Sequence, residues 1–88
     1  MHIKDGFLLK KIADAYTAIP YDNNYEAFGA MVSLNHTGAF LWHCMEDEIS
    51  ETELISAVKE EYGIPDEMAA QAVSSFLTML REHQLLEE

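Results

Sequence analysis

The chain's apolar positions change period part-way along, from alternating to helical. Gly6 to Ile12 and Ala15 to Tyr21 are short runs rich in aromatic and β-branched residues, separated by Ala13-Asp14, and they predict the two arms of a hairpin. Asp22-Asn23-Asn24 marks a turn or loop. Phe28 to Leu34 then sets Phe28, Ala30, Val32 and Leu34 on one face and Gly29, Met31 and Ser33 on the other, the pattern of a half-buried third strand. Consecutive strands of this kind form an antiparallel meander, which leaves one side of the third strand as a sheet edge.

From Asn35 the period becomes helical. Asn35 is a good helix cap, and Ala39, Phe40, Leu41, Trp42, Cys44 and Met45 predict a short, central helix that is apolar around much of its circumference. Glu46-Asp47-Glu48 interrupts it. Ser50-Glu51-Thr52-Glu53 reads as a capping box that starts a second helix, with Leu54, Ile55, Val58 and Tyr62 at helical spacing and Gly63 as its stop. Pro65-Asp66-Glu67 opens a third helix reaching about His83. Its stripe of Ala69, Val73, Phe76, Leu77 and Leu80 faces the core, whereas the neighbouring line of Ala72, Ser75, Phe76 and Met79 is free to line a groove. Leu85-Leu86 folds back as a plug under the helices.

The expected fold is therefore α+β, a three-stranded antiparallel sheet followed by a three-helix bundle in the order β-β-β-α-α-α. At 88 residues, about half of them hydrophobic, the chain can close one core, so residues 1–88 are read as a single domain. Neither a signal peptide nor an apolar run long enough to span a bilayer is found, and Cys44 is the only cysteine, so the expected location is cytoplasmic.

Charge narrows the partners. The net charge is -11, and because the residues up to Cys44 nearly balance, almost all of it falls on the helical half. Such a surface attracts cationic partners and repels nucleic acid and anionic membranes. No catalytic constellation is found. His43 and Cys44 are adjacent on a helix and so diverge by about 100°. The four histidines and one cysteine lack zinc-like spacing, and Glu46-Asp47-Glu48 lacks the spaced oxygens of a calcium loop. No cofactor and no metal site are expected.

The joint between the two halves, Leu34-Asn35-His36-Thr37-Gly38-Ala39-Phe40-Leu41-Trp42, resembles the Leu-Asn-x-Thr-Gly-x-x-x-Trp-like signature of the pyrroloquinoline quinone biosynthesis protein D (PqqD) family. The order of elements on either side resembles that family too. A departure is His83-Gln84 before Leu85-Leu86, where many relatives have a glycine. The resemblance implies a winged-helix-like domain that recognises ribosomally made, post-translationally modified peptides. Such domains bind a precursor's leader as an extra strand on strand three, beside helix three, and present it to a modifying enzyme, often a radical S-adenosylmethionine protein.

The candidate peptide-binding residues are then Ala30, Met31, Val32 and Ser33 on the strand and Ala72, Ser75, Phe76 and Met79 on the helix. The plainer reading of each is an ordinary core or surface position. Asn35, Thr37 and Gly38 read as a cap and a close crossing, and Trp42 as core, so the signature itself is expected to be scaffold. Two alternatives stand beside peptide recognition. One is a structural subunit of a modifying enzyme. The other is a winged-helix DNA-binding regulator, disfavoured because only five Lys and Arg are present where a strong site commonly needs about six to ten phosphate contacts. A homodimer is left open.

Overall fold

In the computed structural model, residues 1–13, 15–20 and 32–88 are described. A two-residue ribbon strand, β1 (His2–Ile3), precedes the hairpin β2 (Phe7–Ile12) and β3 (Ala15–Pro20), whose antiparallel register runs from Phe7 opposite Pro20 to Ile12 opposite Ala15. Only two residues join these arms. Ala13 is accordingly left-handed, with φ 57°, as the tight turns that match strand twist require.

β4 (Val32–Leu34) pairs with the other side of β3, Ala18 opposite Val32 and Tyr16 opposite Leu34. The sheet order is β2-β3-β4, so β4 is an edge among the described residues. The expected third strand is thus seen over its last three residues. Phe28, Gly29, Ala30 and Met31, together with Asp14, Tyr21 and the Asp22-Asn23-Asn24 turn, lie outside the described residues.

The helices follow the sequence pattern. α1 (His36–Cys44) starts where the Gly38 N–H donates to Asn35 Oδ1 at 2.7 Å, and it buries Leu41 and Trp42. α2 (Glu51–Tyr62) carries the complete capping box: the Glu53 N–H donates to Ser50 Oγ at 3.1 Å, and the Ser50 N–H to Glu53 Oε1 at 3.0 Å. Gly63, with φ 59°, ends it. α3 (Asp66–Glu82) buries Ala69, Val73, Phe76, Leu77 and Leu80, the stripe expected to face inward. These side chains join Ala18 and Leu34 of the sheet, Leu41, Trp42 and Met45, Leu54 and Val58, and Leu85 in one cluster.

The end of the chain adds a feature that periodicity does not announce. Gln84 takes φ 59°, the Leu85 N–H donates to the Leu80 carbonyl at 2.8 Å, and Leu85 turns fully into the core. Leu86 is not simply a plug, because β5 (Leu86–Glu87) pairs antiparallel with β1. This ribbon is held to the helices by the Ile3 N–H on the Met45 carbonyl at 2.8 Å and by the Ile49 N–H on the Met1 carbonyl at 3.0 Å. The architecture is α+β in the expected order, with the β1–β5 ribbon added.

Candidate functional site

β4 leaves the sheet at Leu34 and the chain turns at once into α1, so the strand edge is brought up to the face of α3 with only the first turn of α1 between them. The cleft this leaves is an open groove of about 430 Å³. Ser33 and Leu34 form one wall, and Ala72, Ser75, Phe76 and Met79 of α3 form the other. Asn35, Thr37, Gly38 and Leu41 line it between them.

Of the residues singled out from the sequence, Ser33, Ala72, Ser75, Phe76 and Met79 are brought together in this groove. Val32 lies in the β4 backbone, and Ala30 and Met31 fall outside the described residues. Phe76 has two roles: it belongs to the buried cluster and also forms part of the groove wall.

The joint is packed as expected and also borders the groove. Trp42 is core, with only 1% of its surface exposed, and Asn35 is a cap, both as expected. Asn35, Thr37 and Gly38 are also among the residues that line the groove. The signal was present in the topology: a cleft between an edge strand and a later helix must be lined by whatever connects that strand to the bundle. Gly38 shows the constraint. A Cβ there would stand 3.2 Å from Leu34 Cβ and 3.3 Å from Asn35 Oδ1, so the crossing of β4 over α1 leaves little space for a side chain.

Chemically the groove mixes polar and apolar surface in nearly equal parts. None of the ten described lining residues titrates near neutral pH; they offer main-chain groups, hydroxyls, one amide and hydrocarbon, and among them there is no acid, base or thiolate. The described groups with reactive side chains lie elsewhere. His43 Nδ1 sits 2.8 Å from Glu46 Oε1 on the exposed side of α1. Burial pushes the Cys44 thiol above its ordinary range and the Glu61 carboxylate adds to the shift, the opposite of an activated thiolate. Among the described residues, no three His, Cys, Asp or Glu side chains gather as metal ligands would. No described helix is long and apolar enough to cross a membrane.

Comparison with known proteins assigns the architecture. The family model described as Coenzyme PQQ synthesis protein D (PqqD) matches residues 9–86. The chain belongs to the PqqD family. No curated protein matches it. A solved structure described as "TbiB1 in Complex with the TbiA(beta) Leader Peptide" is similar to this PqqD-family chain at a TM-score of 0.77 and 23% identity. The likeness covers 99% of this chain and 95% of that one. The matched residues, 9–86, include all those described as lining the groove.

Proposed function

We propose that this chain is a non-catalytic peptide-binding protein. It holds the leader of a ribosomally synthesised precursor as an added strand on β4, beside α3, and presents it to a modifying enzyme, a radical S-adenosylmethionine protein. The observation that carries this reading is the continuity between the β4 edge and the α3 wall across one groove. An extended peptide on such an edge finds main-chain partners on one side and side-chain pockets on the other. TbiB1, a relative by fold, is itself solved with a leader peptide.

Magnitudes say why both walls are needed. Each added main-chain hydrogen bond contributes only about 0.5 to 1.5 kcal/mol net, and β4 is three residues long. Micromolar affinity corresponds to about -8 kcal/mol, after the cost of association has been met. The difference has to come from apolar burial against Ala72, Met79 and the small part of Phe76 left exposed, at about 25 cal/mol per Å². Duplex binding has less to draw on. Of the five basic residues, Lys59 is already paired with Asp66 and Arg81 with Glu88.

The test titrates isotope-labelled protein with the peptide that it retains from its own cell, and expects shifts concentrated in β4 and along the groove face of α3. Val32→Pro and Ser33→Pro then examine the edge itself. Successive N–H groups of a strand point to opposite sides, so one substitution should lower stability and the other should weaken peptide binding in a folded protein. Strand addition is wrong if neither affects binding. Shifts confined to α2 or to the β1–β5 ribbon would instead favour a purely structural subunit.

A further inference from the structure

The side-chain line that walls the groove on α3 continues beyond it at both ends. Ala72, Ser75 and Met79 line the groove, and the same alternation of three and four places Met68 one turn before Ala72 and Glu82 one turn after Met79. The two ends differ in chemistry. Met68 is 56% exposed, one of the few large apolar side chains that the described residues leave in water. Glu82 is exposed, and its carboxylate makes no ion pair among the described residues.

The neighbouring charges sharpen this contrast. Arg81 lies about 100° round the helix from Glu82 and is already occupied by Glu88 at 3.0 Å. At the opposite end Asp66 is occupied by Lys59 at 2.7 Å, while Glu67 lies about 100° round from Met68. The helix dipole acts in the same sense, since it favours a cation at the C-terminal end of α3, beside Glu82, and disfavours one at the start, beside Met68.

We infer that the groove reads the polarity of its peptide: it takes an extended segment with an apolar side chain over Met68 and a lysine or arginine over Glu82. This rests on the peptide-binding reading and adds direction and register to it. Strand addition alone leaves the register open, because an edge gives nearly the same main-chain bonds to a peptide slipped by two residues, and it favours one direction only slightly. The acidic helical half draws cations in general, but a diffuse field sets no register. Met68 and Glu82 are fixed points. Glu82 lies fourteen helical steps beyond Met68, about 21 Å at 1.5 Å per step, which an extended chain covers in about six residues.

An array of short synthetic peptides tests this directly, each carrying one leucine and one lysine, at every separation and in both orders, probed with the labelled full chain. Binding should peak where the two lie about six residues apart, and in one order only. Glu82→Lys should transfer the preference to glutamate in place of lysine, with a change of about tenfold for the matched pair, and Glu82→Gln should flatten it. Met68→Ala should weaken the leucine-bearing peptides without changing the charge preference. Both side chains are exposed, so circular dichroism should find these variants folded.

Binding that ignores the separation, or a charge preference that survives Glu82→Lys, overturns the inference while leaving peptide recognition standing. If the array fails while the peptide retained from the cell still binds, polarity reading is overturned alone. If neither binds, both readings fall together.

Discussion

Gly63 and Gln84 end consecutive helices in the same backbone conformation, both at φ 59°, so removing the glycine at one site and introducing one at the other should change stability in opposite directions. The left-handed region costs an L-residue about 1 to 2 kcal/mol. Glycine gives back about 0.5 to 1 kcal/mol through its greater freedom in the unfolded chain. The net preference for glycine is then about 0.5 to 1 kcal/mol at each position.

Gly63 isolates the backbone effect, since a Cβ there would meet nothing within 4 Å. Gln84 has an exposed side chain, and the turn it makes delivers Leu85 to the core and Leu86 to β5. Gly63→Ala should therefore lower stability and Gln84→Gly should raise it. For a domain of this size 1 kcal/mol moves Tm by about 4 to 8 °C, so each shift should be about 2 to 8 °C. Thermal unfolding followed by circular dichroism, with urea unfolding to check that the slope is unchanged, measures both. A costly Gly63→Ala beside a neutral or destabilising Gln84→Gly would refute the reasoning at Gln84, and two neutral variants would refute it altogether.

Two further outcomes follow from the core and the caps. Trp42→Ala removes the largest fully buried side chain among the described residues and should cost about 3 to 5 kcal/mol in urea unfolding; a loss under about 1 kcal/mol would mean that the helices do not close on it. Ser50→Ala should cost about 1 kcal/mol through the lost cap. The Glu53 carboxyl is held below the ordinary carboxylate range, first by the Ser50 backbone N–H and then by its hydroxyl. The stability linked to that shift is present above the ordinary glutamate pKa and is lost as pH falls through the lowered folded value. In Ser50→Ala the NMR titration midpoint of Glu53 should rise only part of the way, because the backbone bond remains; a return to the ordinary value would show the hydroxyl to be the leading cause.

Elements that announce themselves locally were legible in the sequence. The stripe on α3, the capping box at Ser50 and the cap at Asn35 each need only a few consecutive residues, and each is found where its pattern lies. The β1–β5 ribbon was not legible, because two-residue strands have no alternation to read and their partners stand some eighty positions apart. Gln84 was visible as a departure from a glycine, but its left-handed φ shows what the departure costs. The groove was half legible: spacing pointed to the α3 face, while the part played by the joint depended on a strand and a helix meeting across the fold.

That meeting makes scaffold and site inseparable at Gly38. The Asn35 carboxamide fixes the first turn of α1 by accepting the Gly38 N–H, and the missing side chain at Gly38 lets Leu34 approach closely enough to be buried. Ser33, the residue before it, is thereby held at the groove with the β4 backbone beside it. A side chain at Gly38 would press on Leu34 Cβ and Asn35 Oδ1 together, so that the edge strand would have to shift and the shape of the groove would change with it. The width of the cleft is thus set by the packing of the joint, so the residues that mark the family in sequence also help to determine what the groove can admit.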